Sequence, residues 1–311
     1  MMSYELRQDE TVGDGVQRII CHQIEAAIRA SSAKQNGKGS PVHETRKHLK
    51  KARSALRLAS GEIERKVWKR EDRCLRRVGR LISEVRDAEV RLQTVRQLRE
   101  FARGRKRSFR ETEKLLAFEL DSFLAAFSEW PEEAEQQLTQ VLDRVRAWPL
   151  DDLRCKQLRK SVQTTYKRGR KALKAAIQKT GTKNLHTFRK RAKELWYQLR
   201  ILQPLAPAVF KELNDELKTI GQYLGQIHDL AFVAERVASM GSKRKEGDRI
   251  FNALIDSRAK ELERTAIALG ERFYAESSRR FARRLSQYFS EWELTKARCL
   301  PSGDRTAALL N

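Results

Sequence analysis

Val42-His43-Glu44-Thr45-Arg46-Lys47-His48-Leu49-Lys50 reads as the opening of a helix with one cationic edge, and the chain carries that opening twice. The pattern His-x-x-Arg-Lys-x-x-Lys returns in Leu185-His186-Thr187-Phe188-Arg189-Lys190-Arg191-Ala192-Lys193, 143 residues further on. Each copy runs on to a Leu-Arg pair, Leu56-Arg57 and Leu199-Arg200. A second landmark follows at nearly the same offset. Val78-Gly79 leads to Val85-Arg86-Asp87, and Ile220-Gly221 leads to Ile227-His228-Asp229. Two landmarks at one period indicate an internal duplication.

The pattern around these landmarks is helical almost throughout. Amphipathic runs cover roughly 11–33, 41–60, 62–102, 108–128 and 132–147, with counterparts near 151–178, 183–203, 207–238, 246–270 and 272–292. Alternation of the strand kind is missing. Ser40 is placed to cap the first histidine helix, with Pro41 at its first position, and Gly181-Thr182 stands before the second. Trp148-Pro149 marks the join, and loops at 103–108 and 239–247 fall at equivalent places in the two halves. The expected fold is all-α: two tandem, pseudo-symmetric helical bundles, residues 1–148 and 149–311, together forming one domain.

On a helical wheel Arg46, Lys47, Lys50, Arg53, Ser54 and Arg57 lie within about 80° of His43, with Leu49, Ala52 and Leu56 opposite. Arg189, Lys190, Lys193, Tyr197 and Arg200 share the face of His186, with Phe188, Ala192, Leu195 and Leu199 opposite. Each helix thus pairs a packing side with a ladder of donors. Arg forks take two oxygens and Lys heads act as mobile point charges, which suits an extended chain of phosphates. A basic face is often only a solvated one, but the same face occurring twice, each time headed by histidine, argues for a ligand. The preceding helix adds Arg159, Tyr166 and Arg170 as candidate donors. Asp87 and Asp229 are read as carboxylates that orient a basic residue of the neighbouring histidine helix, with Gly79 and Gly221 allowing close approach.

Composition points the same way. The chain has 65 Lys+Arg against 41 Asp+Glu, a net charge of +24 and a pI near 10.2. From Arg154 to Lys193 there are 15 Lys/Arg and no Asp or Glu, so i,i+4 pairs of opposite charge are excluded there. The plausible partners are polyanions. No window approaches the length of an apolar membrane span, and Cys21, Cys74, Cys155 and Cys299 form no Cys-x-x-Cys. These features point to reduced thiols and a cytoplasmic location.

The two His-x-x-Arg-Lys-x-x-Lys helices, Lys193, Trp196 and Tyr197 at the end of the second, and the two Gly…Asp helices together resemble the CHAD domain, the conserved-histidine α-helical domain. The likeness spans about residues 5–295. It implies two helical bundles about a pseudo-twofold, with a basic central groove or pore that binds inorganic polyphosphate, and so an association with polyphosphate granules. His228 stands where such a chain usually has Arg, Trp196 where a basic residue is common, and Glu194 interrupts the second ladder.

The expected activity is binding without catalysis. No catalytic residue, metal ligand or cofactor is assigned. A nucleic-acid partner is the alternative, weighed down by an aromatic content of only 7% and few aromatics among the basic residues. A metal-dependent phosphohydrolase using His228-Asp229 is less favoured, because the equivalent Arg86 is no metal ligand. Oligomeric state is not legible.

Overall fold

The structure, a computed structural model, describes residues 4–33, 40–101, 106–179, 181–239 and 245–299. These residues contain eleven α-helices and no strand. The Gly37–Gly39 turn and most of both loops, 102–105 and 240–244, lie outside them. The first half holds α1 (Val12–Ser31), α2 (Pro41–Leu58), α3 (Arg65–Leu81), α4 (Ser83–Phe101), α5 (Lys106–Ala126) and α6 (Trp130–Arg146). The second holds α7 (Cys155–Gln178), α8 (Thr182–Ile201), α9 (Pro207–Ser239), α10 (Lys245–Phe273) and α11 (Ser278–Cys299). α1 packs on α2 and α6 as α7 packs on α8 and α11, and α4 packs on α5 as α9 packs on α10. The halves meet through equivalent elements, α2 against α8 and α4 against α9.

Amphipathic helices must bury their apolar stripes together, and here one hydrophobic body does so for both halves. It joins Ile20, Leu56, Leu75 and Val141 of the first half to Leu158, Phe188, Phe210 and Phe281 of the second. A small satellite cluster of Val42, Ile82 and Val85 sits under the start of α2. Outside the cleft, the buried charge of Glu71 is paired, as its desolvation requires. Glu71, fully buried, accepts from Arg144 Nε at 2.9 Å and Nη2 at 2.7 Å, which ties α3 to α6.

Several boundaries differ from the periodicity, α11 running Ser278–Cys299 where 272–292 is expected, and two of them have a local reason. The run 62–102 reads as one helix, but it breaks at Ile82 into α3 and α4. A continuous helix would use the carbonyls of Gly79 and Arg80 for the amides four residues on. Instead Arg46 Nη1 donates to Gly79 O at 2.6 Å, and Ser83 Oγ donates to Arg80 O at 2.7 Å. α10 runs past residue 270 to Phe273, and side chains from α7 take the carbonyl of its last residue and two in the turn that follows. Tyr166 Oη lies 3.2 Å from both Phe273 O and Glu276 O, and Arg170 Nε donates to Tyr274 O at 3.0 Å.

The join between the halves is anchored by Trp148, Leu150 and Leu153, which are buried while Pro149, Asp151 and Asp152 face solvent. Gln17 Nε2 donates to Val145 O and Trp148 O across it. A Cβ on Gly13 would stand 2.0 Å from Leu150 O, a backbone atom that cannot swing away. Gly13→Ala is therefore expected to cost about 1–3 kcal/mol through forced backbone displacement. Denaturant unfolding reads this directly, and an unchanged midpoint would mean the join is slack.

Candidate functional site

The two histidine helices start differently, the first at a side-chain cap and the second at a glycine with none. His43 N donates to Ser40 Oγ at 3.0 Å, with Pro41 in the first turn. Gly181 precedes α8 at a φ of 156°, a backbone setting that side-chain-bearing residues rarely adopt. α2 and α8 touch where Ser54 Oγ donates to Glu194 O at 3.1 Å. Beside that contact the two helices open a cleft between the halves.

The cleft is a cavity of about 530 Å³. From α2 it receives His43, Arg46, Lys47, Lys50 and Lys51, and from α8 Arg189, Lys193, Trp196, Tyr197 and Arg200. α4 adds Arg86, Asp87 and Val90, and α9 adds His228, Asp229 and Phe232. His186 packs its ring against His228, with centroids 4.8 Å apart. The second-half cations lie along α9 because glycine leaves room for their stems. Cβ atoms on Gly221 and Gly225 would come within 3.3 Å of Lys193 Cε and Arg189 Nη2.

Positive charge in the cleft is largely unanswered. Lys50, Lys193 and Arg189 form no ion pair among the described residues, and buried Arg189 Nε has no hydrogen-bond partner. Asp87 and Asp229 are the only carboxylates in the lining. Burial raises the pKa of both, opposed foremost by Arg46 at Asp87 and by Arg189 at Asp229. Each thus has one guanidinium of a histidine helix as its foremost opposing charge. Burial, and then like charge, disfavours the charged bases. Lys50 keeps access to water, yet its depth and the neighbouring Arg46, Arg189 and Lys193 hold it down to about 7. Lys51 and Lys193 are held down to about 8, and His228 to about 4. His43 and His186 are lowered mainly by burial, with Arg86 and Arg189 adding to it.

These depressed lysines set two opposite pH slopes. A lysine whose folded-state pKa is lowered costs stability while it is charged in both states. That cost lifts as pH climbs from the folded value towards about 10.4. The free protein is therefore expected to gain stability between about pH 7 and 10. Affinity for a polyanion should fall over the same interval as Lys50, Lys51 and Lys193 lose their protons. Unfolding midpoints and binding isotherms across that range check both slopes, and an affinity flat to pH 9.5 would contradict them.

Several residues expected at the site lie elsewhere. Past the Ser54–Glu194 contact the cationic face of α2 turns to structural carboxylates. Arg53 Nε meets Asp72 at 2.8 Å, and Arg57 bridges Asp72 at 3.5 Å and Glu194 at 3.1 Å, linking the halves. Lys190 has Arg191, Arg53 and Arg57 as its charged neighbours and does not line the cleft. Arg46 and Lys50 also border a smaller hollow with Arg53, Arg76 and Ser83, so the basic strip continues on that side. Arg159 Nη1 donates to Ser286 Oγ at 2.8 Å, and Arg170 holds the end of α10. Tyr166 is wholly buried, stacked on Phe281 at 4.1 Å and 10°. Its hydroxyl serves backbone carbonyls and cannot serve a ligand.

The cleft also holds residues outside the expected binding set: Lys51, Arg86, Trp196, His228 and Phe232. Arg86 and His228 belong to the second repeated landmark, so their signal was present in the duplication. Trp196 and Phe232 join Tyr197 in the lining, so the cleft holds three aromatic rings where few aromatics were expected. No group of three or more His, Cys, Asp or Glu side chains converges as metal ligands would among the described residues. No described helix is long and apolar enough to cross a membrane. Cys21, Cys74 and Cys155 are free thiols.

Fold and cleft together define a class: an all-helical duplicated protein whose halves enclose a cationic cavity. The family profile of the CHAD domain matches residues 19–238, and the chain belongs to that family. A solved structure with the same fold is the crystal structure of the CHAD domain from the plant Ricinus communis. It superposes with a TM-score of 0.64 at 16% identity, covering 87% of this chain and 94% of that one. No curated protein matches the sequence.

Proposed function

We propose that the cleft binds inorganic polyphosphate without turning it over. The observation that carries this reading is the convergence of Arg46 and Lys50 from one half with Arg189 and Lys193 from the other on one cavity, none of the four forming an ion pair among the described residues and Arg46 donating only to the Gly79 carbonyl. Such a cavity of about 530 Å³ admits a single chain of phosphates, whereas a duplex could touch only its rim. Anion binding there is driven by counterion release and is steeply salt-dependent. The cytoplasm, and polyphosphate granules where these form, are the expected setting.

The test is affinity for long-chain polyphosphate and for duplex DNA across a salt series, with chain length followed by gel. Polyphosphate should displace the duplex at matched salt, and its length should stay constant in the presence of Mg²⁺ or Mn²⁺. Preferential duplex binding would favour the nucleic-acid reading. Metal-dependent shortening that disappears in His228→Ala would favour the hydrolase.

A further inference from the structure

Phosphates have no apolar face, yet one end of the cleft is aromatic. Trp196 lies half-buried in the cavity wall beside Tyr197, with ring centroids 4.8 Å apart. Lys193 Nζ and the Arg200 guanidinium each lie 5.2 Å from the Trp196 ring centre. Both are charged heads on flexible stems, so phosphates can draw them off the ring. Seven residues separate Arg189 from Trp196 on α8, a reach of about 10 Å along the axis. That reach is comparable with the distance from base to terminal phosphate in a nucleoside triphosphate.

We propose that the Trp196 end of the cleft receives the base of a nucleoside polyphosphate whose phosphates occupy the cationic rows, a reading that rests on the polyphosphate site above and deepens it. The base stacks on the indole as bases stack on aromatic platforms in nucleic-acid-binding proteins, a contact tolerant of base identity. The opposite end is unsuited to that role. There His186, His228 and Phe232 pack ring against ring, with centroids 4.8 Å and 5.7 Å apart, and Arg91 covers Phe232.

A mononucleotide fits better than a strand because the chain's own N-terminal segment crosses at the Trp196 end. Tyr4 Oη donates to Lys51 O on α2 at 3.1 Å, and Leu6 N donates to Ile201 O on α8 at 3.0 Å. Tyr4 packs edge-on against Tyr197, under Arg200. A run of stacked bases needs platforms that continue, and here the platform ends.

Titration calorimetry of the full chain at one salt concentration, with metal chelated, would compare ATP, tripolyphosphate and ribose 5′-triphosphate, which matches the charge of ATP and lacks its base. ATP is expected to bind about tenfold more tightly than ribose 5′-triphosphate. That ratio should fall to about one in Trp196→Ala and largely survive in Trp196→Phe, with circular dichroism reporting that both variants fold. Equal affinities in the parent protein would overturn the inference. So would an equal loss for both ligands in Trp196→Ala, which would make the ring only a positioner of Lys193 and Arg200. An oligoadenylate binding more tightly than ATP at equal charge would replace the mononucleotide with a strand. If none of the three anions bound, the cleft would fail as an anion site and the inference with it.

Discussion

Polyphosphate binding is expected to weaken by about four orders of magnitude when Arg46, Lys50, Arg189 and Lys193 are all reversed to glutamate. These four residues come from both halves and meet on one cavity. A hydrogen bond to a charged group contributes roughly 1.5–3 kcal/mol, and about 1.4 kcal/mol is a factor of ten. Four such losses give at least 10⁴ before repulsion is counted. Arg46 also holds Gly79 O, so the reversal loosens the break between α3 and α4. A milder pair, Lys50→Ala with Lys193→Ala, separates binding from folding, since neither lysine has an ion pair among the described residues. That pair should still lose one to two orders in affinity, with helical content unchanged by circular dichroism. Retained binding in both variants would remove the cleft from consideration.

The second large effect concerns Tyr166, which has no part in binding. Tyr166→Ala is expected to cost about 3–5 kcal/mol, the range for deleting a large buried ring. The ring stacks on Phe281 and contacts Phe273 and Tyr274, and its hydroxyl reaches two carbonyls at the end of α10. Truncation opens a cavity and frees both carbonyls together. Tyr166→Phe keeps the ring and gives up only the hydroxyl, for about 1 kcal/mol. Unfolding midpoints of the two variants, together with polyphosphate affinity for Tyr166→Phe, make the distinction. A parent-like midpoint for Tyr166→Ala, or lost affinity in Tyr166→Phe, would return the residue to the site.

How much of this was legible in the sequence depended on what each signal reports. Periodicity reports burial, so the helices and their order were readable, and the repeat brought α2 and α8 to equivalent places. His43, Arg46, Lys47, Lys50, Arg189, Lys193, Tyr197 and Arg200 do border the cleft. A helical wheel, however, assigns one direction to a whole face. It could not foresee that contact at Ser54 and Glu194 divides α2, sending Arg53 and Arg57 to Asp72 and Glu194. Nor does composition separate a donor to a ligand from a donor to a helix end. Tyr166 and Arg170 lie in the acid-free stretch, yet both satisfy carbonyls at the end of α10 and in the turn after it. The break at Ile82 was hidden for the same reason, because a side chain 33 residues away takes the Gly79 carbonyl.

The shared interior has a consequence for descent. Because Leu56 and Leu75 belong to the same apolar body as Phe188 and Leu195, neither half ends in a face that water would accept. In a chain built this way the seam can change only by compensated steps, with one half answering the other. Exposed residues at the rim, such as His43 and Lys50, are under no such obligation. Variation among kindred chains should therefore be paired along the seam and independent around the opening.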